Sequence, residues 1–124
     1  MNKRAVLIID DDPSHLRIYG WIIQSAGCEP LSALVTHDAV ELPEAPIDLV
    51  LLDYHLNGSM RAVEIARLVR SKYAYAPIFV LSHAMMMPED IRPHVDGFIR
   101  KGDPARLVET VTRALLQNTV VEPS

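Results

Sequence analysis

One cysteine, one tryptophan, two phenylalanines and five glycines are all that this 124-residue chain contains of those types, and positive charge is not in excess. A single cysteine, Cys28, excludes an internal disulfide framework and fits a reducing compartment. As a small apolar residue it is expected to be buried. The scarcity of glycine, with no repeat or low-complexity tract, excludes fibrous and linker-like architectures. Twelve Lys and Arg against sixteen Asp and Glu give a net charge of −4, and no local basic cluster overturns it. Nucleic acid and anionic membranes are therefore not expected partners. No apolar run approaches the roughly 18 residues of a membrane span. The stretch after Lys3 and Arg4 is cut by Asp10, too early for the apolar core of a signal peptide. A cytoplasmic location is the expectation.

What is present is a composition close to the globular average, 49% hydrophobic and 23% charged, in a length that suits one core without disulfides or a structural metal. Four short apolar runs recur: AVLII (5–9), IDLVLL (47–52), PIFVL (77–81) and VDGFI (95–99). They are β-branched and mostly do not alternate, the pattern of strands buried on both faces of a parallel sheet. CEPLSA (28–33) is a fifth, weaker strand, and Pro30 assigns it to an edge. Between the runs lie helical stretches. Asp12 and Asp103 each precede a proline, a cap followed by a proline in the first turn. The first opens a helix over 13–26, with Leu16, Tyr19, Ile23 and Ala26 on one face and Gly27 as its stop; the second opens one over 104–117, with Leu107, Val111, Ala114 and Leu115 inward. Residues 59–71 form a third helix, with Ile65, Leu68 and Val69 towards the sheet. Two weaker helical stretches are limited by proline: 36–42 ends at Pro43, and 86–94 holds Pro88 and Pro93. Strand and helix alternate five times, which predicts a doubly wound α/β domain over residues 1–118, with 119–124 as a frayed tail.

In such sheets ligands bind beyond the carboxyl ends of the strands. The first strand ends in Asp10 and Asp11, the third in Asp53, the fourth in Ser82 and the fifth in Lys101. Three carboxylates converging on one point call for a hard cation, and an oxygen-only set suits Mg²⁺ better than Zn²⁺. A lysine and a hydroxyl opposite would hold an anion beside it. A phosphoryl group fits both, with one carboxylate as nucleophile.

The motifs VLIIDDDP, LVLLDYHL, IFVLSHA and GFIRKGDP, in that order across residues 4–116, resemble the receiver domains of bacterial two-component response regulators, the CheY-like superfamily. The resemblance implies a flavodoxin-like (βα)5 fold with a five-stranded parallel sheet in the order 2-1-3-4-5, here with a short or irregular fourth helix. It implies that Asp53 accepts a phosphoryl group from a histidine kinase or a histidine phosphotransfer protein. Asp10 and Asp11 would hold Mg²⁺ together with Asp53, Asp11 directly and Asp10 through water, and the backbone carbonyl of His55 would be a further ligand. Ser82 and Lys101 would contact the phosphoryl oxygens. Ser82 and Phe98 match the family's switch pair, which alters the face made by helix four, strand five and helix five, a surface for a downstream protein or for dimerisation. Such a domain is no enzyme beyond transferring the phosphoryl group to itself and hydrolysing it.

Several features depart from the family or admit another reading. Lys101 is followed by Gly102 where the family has proline in a cis bond, so a trans bond and a different loop are expected. Met85, Met86 and Met87 can offer a partner surface or fill the core under a loop. His55 and His83 flank the site, either to influence water at an acyl phosphate or as plain loop residues. DYHLNG (53–58) also spells D-x-H-x-x-G, a cobalamin motif, but that motif follows a first strand and is accompanied by a Gly-Gly that this chain lacks. A receiver that acts as an interaction module without phosphorylation is the remaining alternative.

Overall fold

A computed structural model describes residues 3–120. The elements run β1 (Ala5–Asp10), α1 (Pro13–Ser25), β2 (Glu29–Leu34), β3 (Leu49–Asp53), α2 (Ala62–Lys72), β4 (Ile78–Ser82), β5 (Gly97–Arg100) and α3 (Pro104–Val120). All pairings among the five strands are parallel, as the apolar runs predict, and their order is β2-β1-β3-β4-β5, as the family resemblance implies. Residues 121–124, most of the expected tail, lie outside the described residues, and α3 continues past residue 117 to Val120.

The sheet is buried on both faces because each central strand supplies apolar side chains to both. Val6, Ile8, Leu49, Leu51, Leu81 and Ile99 meet Leu16 and Ile23 of α1 and Leu107, Val111 and Leu115 of α3. Leu7, Ile9, Val50, Leu52, Ile78 and Val80 meet Ala62, Ile65, Ala66 and Val69 of α2. Period-2 alternation across two covered faces yields the unbroken apolar runs seen in the sequence. Pro30 is tolerated in β2 because that strand is an edge, paired only with β1. Cys28 is buried at the end of α1, where Gly27 adopts a φ of +86° that closes the helix.

The second face differs from the predicted five-helix pattern. Among the described residues only three α-helices form. Residues 36–42 make no helix: Val35 and Val40 form an antiparallel bridge, and the Thr36 amide donates to Ala39 O at 2.9 Å. Pro43 and Pro46 then prevent a helix from starting, and Val40, Leu42 and Ile47 pack on the core directly. Residues 86–94 likewise give only a 3₁₀ turn at Arg92–His94, where Pro93 lacks the amide that a longer helix needs. Ile91 plugs the core there while Met87 and Val95 pack around it. The third predicted helix starts at Ala62 rather than residue 59, because the preceding segment is held in loops. Leu68, expected to face the sheet, is 46% exposed, since the α2 stripe follows Ile65, Ala66 and Val69 instead.

Candidate phosphoryl and cation site

The parallel register carries the polar residues to one edge. Ile9 pairs with Leu52, so Asp10 and Asp53 follow each other on neighbouring strands, and Asp53 pairs with Leu81, just before Ser82. Asp10, Asp53 and Ser82 are all buried. Carboxylate oxygens of Asp10, Asp11 and Asp53 lie within 4.8 Å of one another, so the structure brings together the three acidic residues singled out above. Lys101 Nζ stands 2.5 Å from Asp53 Oδ1, with both side chains under 10% exposed.

The electrostatics of this cluster favour a cation. Burial, and after it the charge of Asp53, raises the Asp10 carboxyl from an ordinary value of 3.8 to about 6. The Asp12 amide, which donates to Asp10 Oδ1 at 3.1 Å, and the nearby His15 offset only part of this. Asp10 Oδ2 is buried and, among the described residues, has no hydrogen-bond donor. Burial by itself would lower the proton affinity of Lys101, but contact with Asp53 and its charge outweigh that, and the ammonium is held above its usual range. A buried oxygen without a donor and three clustered carboxylates fit a hard divalent cation such as Mg²⁺.

The surrounding loops fix these groups. Asp12 caps α1, its Oδ1 accepting from the Ser14 amide at 2.8 Å, and so stands apart from the cluster. Asp103 Oδ1 accepts from the Arg106 amide at 3.1 Å at the start of α3. The Asn57 amide donates to Asp11 Oδ2 at 2.9 Å, and the Ser59 amide donates to His37 O at 2.6 Å. Gly58 is required here, because a Cβ would fall 2.3 Å from His37 O. Ser82 Oγ accepts from the Ala84 amide at 3.1 Å, and Ser82 O accepts from the Lys101 amide at 2.8 Å. Lys101–Gly102 is trans, and Gly102 turns the chain at a φ of +101°.

The other predicted residues are more peripheral. His55 is exposed, its ring edge-on to Tyr54 at 5.1 Å, and His83 is exposed on the loop after β4. Phe98 is half-buried against the α2-side core and lines an open cleft with His83, Met85, Arg100, Lys101 and Arg106. Met87 packs on the core, whereas Met85 and Met86 are 74% and 72% exposed, so the methionine run divides between the two uses. Two features were missed in the sequence. His15, in the first turn of α1, places Nδ1 3.3 Å from Asp10 Oδ2. Tyr54 and Arg61 hold Asp90 from two sides, at 2.7 and 3.1 Å, tying the segment after β4 to the loop after β3. The position of His15 three residues after the Asp12 cap signals its contact with Asp12 but not its approach to Asp10, and nothing local announces the second feature.

A family model, the response regulator receiver domain, matches residues 6–112. Among solved structures the chain is similar to the chemotaxis response regulator CheY4 of Vibrio cholerae, at 23% identity and a TM-score of 0.76 over 91% of this chain and 99% of that one. It is similar to a CheY-like receiver domain protein from Methanospirillum hungatei, at 18% identity and a TM-score of 0.79 over 98% of this chain and 100% of that one. A third, the response regulator TrrA of Thermotoga maritima in complex with Mg²⁺–BeF, gives 21% identity and a TM-score of 0.72 over 90% and 98%. The three structures share the fold, and the family match extends over all five strands, the acidic edge and the first half of α3. This chain belongs to the response regulator receiver domain family.

Proposed function

We propose that this receiver, residues 1–118, takes a phosphoryl group from a phosphohistidine onto Asp53 and signals through protein contact. The observation that carries this is the buried Asp53 carboxylate, held by Lys101 Nζ at 2.5 Å inside a three-carboxylate cluster. An Asp53 oxygen attacks phosphorus; a P–O bond forms, the P–N bond breaks, and its electron pair leaves with the imidazole. Hydrolysis then regenerates the acceptor: a water oxygen bonds to phosphorus, the P–O bond to Asp53 breaks with its electron pair returning to the carboxylate, and inorganic phosphate leaves with the water protons. Mg²⁺, held by Asp10, Asp11, Asp53 and the His55 carbonyl, would supply charge neutralisation at the phosphoryl oxygens. Lys101 follows its charge partner from the carboxylate to a phosphoryl oxygen, since both are anionic and share one buried position. Ser82, whose Oγ accepts from the Ala84 amide, keeps its hydroxyl hydrogen to donate to the same group.

The donor would be a histidine kinase or a histidine phosphotransfer protein, and the output a downstream protein or a second copy. With only a 3₁₀ turn between β4 and β5, the output face is built from residues 83–96, β5 and α3, with Phe98 at its edge and Met85 and Met86 outermost. Incubation with acetyl phosphate and Mg²⁺ followed by intact-mass spectrometry tests the assignment. The expected result is one added phosphoryl group that Asp53→Asn cannot accept. No addition to the wild-type chain, under conditions where another receiver reacts, would leave the interaction module without phosphorylation as the reading.

A further inference from the structure

His15 is not part of the carboxylate set just described, yet its ring lies beside a buried oxygen of that set that has no hydrogen-bond donor; the other such oxygen, Asp53 Oδ1, has the Lys101 ammonium beside it. Asp10 Oδ2 is buried, in a residue 1% exposed, and accepts no hydrogen bond. His15 Nδ1 lies 3.3 Å from it. Two ligands each about 2.1 Å from one metal ion, at an angle slightly over 100°, are separated by that distance. The other ring nitrogen, Nε2, faces Asp12 Oδ2 at 3.5 Å. A ligating imidazole characteristically has its second nitrogen directed to a carboxylate, which sets tautomer and ring orientation. Asp12 is itself fixed by its capping bond to the Ser14 amide, so the orienting carboxylate is held in place by the helix start. The ring also packs edge-on against Tyr19.

We infer that His15 supplies a nitrogen ligand to a transition-metal ion bound at the Asp10 carboxylate, so that the acidic site takes Mn²⁺, Co²⁺ or Zn²⁺ in preference to Mg²⁺. The inference rests on the proposed cation site and states which ions it selects. The chemistry follows from ligand type. Mg²⁺ prefers oxygen and keeps its waters, so an imidazole adds little to its binding, whereas imidazole suits first-row transition metals and strengthens their binding along the Irving–Williams order. His15 is 46% exposed at its side chain, which leaves the metal an entry path on that side.

The test uses the full chain, stripped of metal, with Mg²⁺, Mn²⁺ and Co²⁺ as probes. Calorimetric titration of wild type and His15→Ala should show Co²⁺ affinity falling by at least about tenfold while Mg²⁺ affinity changes less than about twofold. Electron spin-echo spectroscopy of bound Mn²⁺ should show nitrogen modulation in the wild type and in His55→Ala, and none in His15→Ala. Thermal melts of the metal-free proteins check that His15→Ala still folds; His15→Gln, which keeps a polar side chain without the imidazole, serves if it does not. Nitrogen modulation that survives both His15 substitutions, or equal losses of Mg²⁺ and Co²⁺ affinity, would overturn the inference. Absence of any Mg²⁺ or Mn²⁺ binding by the wild type would instead overturn the cation site on which it rests.

Discussion

Replacing Asp10 by asparagine isolates the cost of the acidic cluster. Asp10 is almost fully buried, one oxygen holds the Asp12 amide at 3.1 Å and the other has no hydrogen bond, and the Asp53 carboxylate is close by. Burial and that neighbouring charge raise its pKa from 3.8 to about 6. The folded protein therefore holds this proton more tightly than the unfolded chain does. Folding takes up a proton between about pH 4 and 6, and stability falls as pH rises through that window. Above it, the metal-free protein carries the whole penalty, about 3 kcal/mol at 1.36 kcal/mol per pKa unit. Asparagine keeps the acceptor for the Asp12 amide and removes the charge. In EDTA at pH 7.5, Asp10→Asn should raise the unfolding free energy by about 3 kcal/mol, or Tm by about 10 °C for a domain of this size. The gain should drop below about 1 kcal/mol at pH 4, where wild-type Asp10 is already protonated when folded. Added Mg²⁺ should stabilise the wild type at pH 7.5 and the variant much less. Paired urea melts at the two pH values, with and without Mg²⁺, measure all of this. A metal-free variant no more stable than wild type at pH 7.5, or a gain that is equally large at pH 4, would refute the reasoning.

Asp12→Ala removes the side chain that accepts the Ser14 amide and should cost about 1 kcal/mol in a urea melt while Mg²⁺ affinity stays within about threefold; loss of the metal would mean that Asp12 belongs to the cluster. Gly58→Ala drives a Cβ to 2.3 Å from His37 O, a backbone atom that cannot swing aside. It should destabilise the protein by about 1–3 kcal/mol and, because the same turn presents the Asn57 amide to Asp11, weaken Mg²⁺ binding as well. Calorimetry on the variant checks the second effect separately from the melt.

Much of the fold was legible because its signals are local. AVLII and LVLL are short, β-branched and apolar at every position, which suits a strand covered on both faces, and Asp12-Pro13 and Asp103-Pro104 mark helix starts by their own cap chemistry. Once those strands were recognised, the residues ending them identified Asp10, Asp11, Asp53, Ser82 and Lys101 as neighbours, because a parallel sheet aligns its carboxyl ends. The weaker stretches behaved differently. Residues 36–42 and 86–94 have apolar residues at spacings that a helix or a packed loop can use, and the prolines that follow or interrupt them decided for loops. Leu68 was misplaced because helix phase is set by where Ile65 and Val69 find the sheet, not by its own hydrophobicity.

The sequence by itself thus determined the strands, the ends of α1 and the start of α3, and the set of charged residues at the sheet edge, since each depends on contacts within a few residues or on strand periodicity. Tertiary structure decided which carboxylate bears the strain, the turn that seats Gly58 under His37, the Asp90 clamp, and the approach of His15 to Asp10. Those depend on distances between segments far apart in the chain or on the angle at which a helix leaves its strand, and no local pattern of residue types encodes either.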